Sequence, residues 1–393
     1  MPSPPEMTAM EVMGAAFLLL LSVIYLPVYI VAHLLMQFMY LPRSLHRHIF
    51  HPTNILQRKY FAKDAYAIVT GATDGAGKGF VEQLAARGWN VIIHGRSLDK
   101  INDIITSLQV LYPNQVFLPL RLDCTENEMT IKLPAALKHF KGLDIRILIN
   151  NAAYLHPCAQ FEDLPIQMVD DVLRTNAIFP TFITHCMLNF RKITTDPPAV
   201  TLPSEKESAI HSALSEGSSV KGENINSAWH STESPLRLIV TIGSVGALYA
   251  TSKTSPYAPA KCYLNAFASF LRFSLQSKDI EVMNVQTGAL DTKMWPGRRK
   301  YIMILQPNEF ARRVLDKVGL AKIGHGWGWW GWKTLGLGVD EYVAGGSGVW
   351  VHWGHQTMNF MQGLLPGDVW CAIGETVVTR LGYNPQTSPL LAV

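Results

Sequence analysis

No two cysteines in this 393-residue chain form a Cys-x-x-Cys pair, and the five that occur, Cys124, Cys158, Cys186, Cys262 and Cys371, are odd in number and widely spread. That pattern excludes a zinc ribbon and disfavours a disulfide framework, so no metal site is expected and the bulk of the chain belongs in a reducing compartment. Charge is also sparse. Asp, Glu, Lys and Arg make up 16% of the residues, and a net charge of +4 is too diffuse to mark a nucleic-acid-binding surface. DNA and RNA are therefore not expected as partners. At 48% hydrophobic the chain is too apolar and too mixed for a disordered or fibrous protein, and its length fits one medium-sized domain with extensions.

Charge is missing altogether from Val12 to Pro42, and Gly14 to Tyr40 is almost wholly apolar. As a helix those 27 positions reach about 40 Å, more than the roughly 30 Å of a hydrocarbon core, which leaves room for tilt and a kink at Pro27. A signal peptide would want a basic flank, whereas this one carries Glu6 and Glu11 and no Lys or Arg. Residues 1–42 are therefore read as a membrane anchor, with His33 a tolerated polar residue. Arg43, Arg47, Arg58, Lys59 and Lys63 follow with no acid before Asp64, so 43–64 reads as a basic juxtamembrane linker that leaves everything downstream in the cytosol.

From Tyr66 the pattern alternates. YAIVTG, NVIIHGR, QVFLPLRLDC, IRILINNA, LRLIVTIGS and EVMNVQTG read as buried strands, separated by segments of helical period or length such as GKGFVEQLAARG and KCYLNAFASFLRFSLQS. This predicts an α/β domain over 65–320 built on a doubly wound parallel sheet.

The first strand-to-helix turn carries Thr70, Gly71, Gly75 and Gly77 in TGATDGAGKG. Glycines there let the backbone approach a pyrophosphate and seat it at a helix N-terminus, where unpaired N–H groups favour negative charge. The second strand ends in His94-Gly95-Arg96 with no carboxylate for ribose hydroxyls, and Arg96 is suited to the 2′-phosphate of NADP(H). Further on, Tyr257 and Lys261 stand one helical turn apart on one face, and Ser244 ends the strand 13 residues before Tyr257. Carboxyl ends of strands line the ligand crevice of such sheets. Asn176 lies on a helix of the preceding unit.

In this order the glycine turn, Asp123, Asn150-Asn151-Ala152, Asn176, Ser244, Tyr257 and Lys261 resemble the short-chain dehydrogenase/reductase superfamily, over roughly 65–294. TGATDGAGKG, the anchor, Thr292-Lys293-Met294 and the segment Pro307 to Leu320 look like its membrane-bound branch of very-long-chain 3-oxoacyl-CoA reductases and 17β-hydroxysteroid dehydrogenases. The resemblance implies a Rossmann-type fold and NADP(H) held by the turn residues, Arg96, Asp123, Asn150, Asn151, Ala152, Tyr257, Lys261, Gly288 and Thr292. It implies Tyr257 as proton donor, Ser244 orienting the carbonyl oxygen, Lys261 favouring the phenolate and holding the nicotinamide ribose, and Asn176 keeping a water between Lys261 and solvent. Two positions depart from the family: Thr287-Gly288 replaces Pro-Gly, and Ala153 replaces a glycine. The first is expected to loosen the nicotinamide-side loop, and the second to crowd the backbone if its φ must be positive.

Thr194 to Pro235 is rich in Ser, Glu and Pro without hydrophobic period and reads as a disordered insertion, 194–235. Seven of the ten tryptophans fall after Gly324, in a Trp/Gly-rich extension, 321–393. Tryptophan suits the bilayer interface, so this extension is read either as dipping into the membrane or as a packed subdomain or homodimer contact. Arg298, Arg299 and Lys300 are candidates for acyl-CoA phosphates or a solvated cluster. The expected function is NADPH-dependent reduction of a lipophilic ketone, a long-chain 3-oxoacyl-CoA or a steroid ketone, at the endoplasmic reticulum membrane. A specialised-metabolism ketoreductase and a catalytically weak NADPH-binding scaffold are the alternatives.

Overall fold

A computed structural model describes residue 31 and residues 54–157, 159–191, 235–247, 253–288, 290–294, 305–319 and 348–350. Most of the expected anchor, the whole insertion up to 234, Arg298 to Lys300 and nearly all of the Trp/Gly-rich extension lie outside these residues. Among the described residues no helix is long and apolar enough to cross a membrane.

Among the described residues seven strands form one sheet: β1 (Ala65–Val69), β2 (Asn90–Gly95), β3 (Phe117–Arg121), β4 (Asp144–Asn150), β5 (Leu238–Ile242), β6 (Glu281–Gln286) and β7 (Gly348–Trp350). Their spatial order is β3-β2-β1-β4-β5-β6-β7 and every pairing is parallel. The order reverses between β1 and β4, which opens the crevice where ligands sit in doubly wound sheets. β7 pairs Val349 with Val285 and Trp350 with Gln286, so a piece of the C-terminal extension joins the catalytic sheet.

Every residue of β1, β2, β5 and β6 is buried. That is why β1 and β5 read as nearly continuous apolar runs rather than alternations. The pleat sends alternate side chains to opposite faces. Ala65, Ala67 and Val69 pack with α1 (Gly75–Ala85), α2 (Leu98–Leu111) and α7 (Pro307–Asp316) through Phe80, Leu84, Ile101, Leu108, Phe310 and Val314. Tyr66 and Ile68 face a second core formed by α3 (Met129–Leu137), α5 (Phe179–Leu188) and α6 (Tyr257–Leu275) through Leu133, Ile183, Met187 and Ala268. Phe80 meets Phe310 edge to face at 5.9 Å, tying α1 to α7.

The helical stretch Ile166 to Leu188, whose residues from Met168 on have the length of one helix in the sequence, is interrupted. α4 (Ile166–Leu173) and α5 are joined by a π-helical turn, Arg174–Ile178, which contains Asn176. Pro180 contributes to the break, because it has no N–H to give the Asn176 carbonyl in α-helical register.

The described part of the expected linker, 54–64, packs against the domain. Leu56 and Tyr60 are buried in a helical turn, and side-chain bonds hold that segment to the body at the amino-terminal end of the sheet. The Tyr60 hydroxyl donates to Glu281 at 2.5 Å, Arg146 donates to the Tyr60 carbonyl at 3.1 Å, and the Trp89 indole donates to Gln57 at 2.8 Å. Gly319, just past α7, donates its N–H to the same Glu281 carboxylate at 2.7 Å. Leu56 and Tyr60 supply the apolar contacts, and Arg58 and Lys59 between them hide this pattern in the sequence.

Candidate active site

The turn after β1 is held open by backbone geometry. Gly71 has φ +60°, and a Cβ there would stand 2.8 Å from the Ala152 Cα. A Cβ on Gly77 would lie 2.1 Å from the Gly71 carbonyl oxygen, so only hydrogen fits. Thr70 fastens the turn to β4: its hydroxyl donates to Ile149 at 3.2 Å and accepts from Asn151 N at 2.9 Å and Ala152 N at 3.0 Å. The Asn151 side chain returns the tie, donating to the Thr70 and Gly71 carbonyls at 2.9 and 3.2 Å. Asn150 donates to the Thr184 hydroxyl at 3.0 Å, linking the end of β4 to α5. Thr70, Asn150, Asn151 and Ala152 thus shape the crevice through one connected set of bonds.

From the β2 side the turn is held by His94, which sequence reasoning passed over. Its Nδ1 accepts from Gly71 N–H at 3.1 Å and its carbonyl from Ala72 N–H at 2.8 Å. Arg96, two residues on, is exposed. Asp123, at the end of β3, spends one carboxylate oxygen on the Thr125 N–H and hydroxyl at 3.0 and 2.8 Å. Thr292 closes over the start of α1, its methyl standing 3.1 Å from where a Gly75 Cβ would be. Next to it Lys293 pairs with Asp74, the N-cap of α1, at 2.8 Å. An open cleft of about 670 Å³ flanks that ion pair, at the start of α1 rather than at the end of β5.

Ser244, Tyr257 and Lys261 come together beyond β5. The Ser244 hydroxyl accepts from Gly246 N–H at 3.1 Å and hydrogen-bonds Tyr257. Lys261 is 2% exposed, its Nζ donates to the Ile242 carbonyl at 2.9 Å, and it lies 5.8 Å from the Tyr257 ring centre. Burial pulls the Lys261 ammonium down to about 8. Burial raises the Tyr257 phenol, and the bond to Ser244 opposes it. Lys261 thus stands beside the Tyr257 ring with its Nζ turned to Ile242.

Asn176 is fully buried, and its amide is spent on backbone. It donates to the Tyr154 and Val172 carbonyls at 2.7 and 3.0 Å and accepts from Tyr154 N–H at 3.2 Å. It therefore fixes the loop after β4. Ala153 has no positive φ, so an alanine is accommodated there without strain. The Thr287 hydroxyl donates to the Gly288 carbonyl at 3.0 Å, a local tie in the loop where a proline was expected.

The family model described as short chain dehydrogenase matches residues 65–190 and 233–301, which carry the turn, β4 and the Ser244, Tyr257 and Lys261 group. The chain belongs to the short-chain dehydrogenase family. It is an oxidoreductase whose fold binds a nicotinamide cofactor. Among its relatives is a very-long-chain 3-oxoacyl-CoA reductase of Neurospora crassa, 27% identical over 72% of this chain and 72% of that protein. Another of that name, from Pyricularia oryzae, is 26% identical over 78% of this chain and 81% of its own. A solved 7β-hydroxysteroid dehydrogenase shares the fold at TM-score 0.52 and 15% identity, over 81% of this chain and 98% of that one.

The residues present fit a dinucleotide. The Gly71 and Gly77 backbone leaves a cradle closed to side chains at the start of α1, and the buried Lys261 stands two strands away at the same edge of the sheet.

Proposed function

We propose that this chain is an NADPH-dependent ketoreductase acting on a lipophilic ketone, with a long-chain 3-oxoacyl-CoA as the preferred substrate and a steroid ketone as the second choice. The observation that carries the chemistry is the meeting of Ser244, Tyr257 and Lys261 at the carboxyl end of β5. Arg96, with no carboxylate beside it at the end of β2, supports NADPH over NADH. The relatives' name supports the acyl-CoA substrate.

When bound, NADPH supplies a hydride to the carbonyl carbon. Tyr257 gives its phenolic proton to the carbonyl oxygen, and burial keeps that phenol protonated at neutral pH, the form a reduction needs. The Ser244 oxygen is fixed by Gly246 N–H, and its hydroxyl would exchange its bond to Tyr257 for one to the substrate oxygen. Lys261 spends one N–H on Ile242 and keeps two, suited to a ribose hydroxyl and to the proton path that restores Tyr257. One ketone, one NADPH and one solvent proton give the secondary alcohol and NADP⁺. Asn176, through Tyr154, holds the loop that flanks this group.

The apolar stretch Gly14 to Tyr40 and the basic flank after it support a membrane anchor with the catalytic domain in the cytosol. Resemblance to the membrane-bound branch supports the endoplasmic reticulum. Ile166, Tyr263, Phe270 and Phe273 are 83%, 45%, 64% and 48% exposed, and this apolar surface on α4 and α6 supports a homodimer.

The test is NADPH oxidation by full-length, detergent-solubilised protein with a long-chain 3-oxoacyl-CoA beside a 17-ketosteroid. Turnover with the CoA ester is expected, falling about a thousandfold in Tyr257→Phe while NADPH binding persists. Tight NADPH binding without turnover of either ketone would reject the substrate assignment and favour an NADPH-binding scaffold.

A further inference from the structure

We propose that His94 is a positioning residue for the cofactor turn, through the bond its Nδ1 accepts from Gly71; this rests on reading that turn as the dinucleotide site. β2 is otherwise Asn-Val-Ile-Ile followed by glycine and is buried throughout, and an ionisable ring in such a strand needs a compensating role. The compensation is specific. Nδ1 and the backbone carbonyl of this one residue accept the N–H groups of Gly71 and Ala72, two consecutive amides at the start of the turn. Thr70 and Asn151 hold the turn from β4, so His94 is its counterpart from β2.

Two further features separate this from filler. Accepting at Nδ1 requires a neutral ring with its proton on Nε2, and burial keeps the imidazole neutral, lowering it to about 4 against weaker opposing pulls from the Leu122 backbone and Asp123. Nε2 itself is buried with no hydrogen bond of good geometry. A leucine or isoleucine would avoid that penalty, so packing alone does not explain the choice of histidine. The ring plane is set by stacking on Phe179, with centres 4.9 Å apart and planes 20° apart. Phe179 directly follows the π-helical turn that carries Asn176, so His94 joins the cofactor turn to the helix that fixes the loop after β4. Ordering the turn before the cofactor arrives removes an entropic penalty from binding. The reacting group beyond β5 is untouched.

The experiment is a fluorescence titration of NADPH into full-length, detergent-solubilised wild type, His94→Leu, His94→Asn and His94→Gln, together with kcat and KM for NADPH. His94→Leu, which leaves the Gly71 N–H without its acceptor, is expected to raise Kd and KM for NADPH about tenfold, with kcat at saturating NADPH within about twofold of wild type. In His94→Asn the Oδ1 stands where Nδ1 stood, and affinity is expected to return most of the way. Should the leucine variant fail to fold, the other pair decides: asparagine near wild type and glutamine weakened supports the proposal. Unchanged Kd in a folded leucine variant, or equal affinity for asparagine and glutamine, overturns it. A wild type that binds no NADPH overturns the dinucleotide reading itself, a result distinct from either of these.

Discussion

Replacing Lys261 by methionine is expected to make the protein more stable while abolishing its chemistry. Lys261 is 2% exposed, and burial is the one cause acting on its ionisation, with no carboxylate offsetting it. Its displacement from 10.5 to about 8 means that the ammonium destabilises the folded state by about 3 kcal/mol at pH 7. Methionine keeps the length and the packing but gives up the bond to Ile242, which costs about 1 kcal/mol. The net gain is about 2 kcal/mol, or roughly 4–8 °C in Tm for a domain of this size. The sign carries a pH signature. Unfolded Lys261 holds its proton up to about 10.5, while folded Lys261 releases it near 8. Between those values the unfolded state binds more protons, so wild-type stability from this group rises with pH. The advantage of the variant is full below pH 8 and vanishes above about 10.5. Thermal melts of Lys261→Met and wild type at pH 7, 9 and 10.5, with ketone turnover measured at pH 7, read all of this. A variant that melts below wild type at pH 7, or whose lead does not shrink as pH rises, refutes the reasoning.

Gly77→Ala brings a methyl to 2.1 Å from the Gly71 carbonyl oxygen; the turn must shift, and NADPH affinity is expected to fall by more than about tenfold, with a stability loss of about 1–3 kcal/mol seen by denaturant titration. Arg96→Ala is expected to raise KM for NADPH about 10- to 100-fold while leaving KM for NADH unchanged; equal losses for both would remove the 2′-phosphate assignment. Phe270→Glu with Phe273→Glu places charge on the exposed face of α6, and light scattering after size exclusion is expected to show a monomer where wild type is a dimer. A wild type that is already monomeric removes the homodimer reading.

Much of the fold was legible because a parallel sheet is buried on both faces. YAIV, NVII and LIV read as continuous apolar runs, and glycine-marked turns separate them from helices. Ser244, Tyr257 and Lys261 were legible as well, since the doubly wound topology gathers strand ends and helix starts along one edge. Other features had no one-dimensional signal. The π-helical turn at Arg174–Ile178 lies within an unbroken helical period. α3 carries Pro134 in its interior, which argues against a helix when read locally. His94 carries no local signal of its role, because its partner Gly71 lies 23 residues away. The direction of Nζ at Lys261, toward the Ile242 carbonyl, is set by tertiary packing and has no one-dimensional signal.

The brace formed by residues 54–61 gives the molecule a fixed polarity. Tyr60 is bonded to Glu281, the first residue of β6, and to Arg146 near the start of β4, so the chain enters the body at the amino-terminal ends of the strands. Ser244 stands past their carboxyl ends. β4 alone spans seven residues, about 20 Å at the usual strand rise. The described body therefore begins at one pole of the sheet, and the chemistry lies at the other. A substrate arriving at the pole where Tyr60 is bonded would have to travel the full height of the sheet, whereas one arriving at the opposite pole meets Ser244 directly.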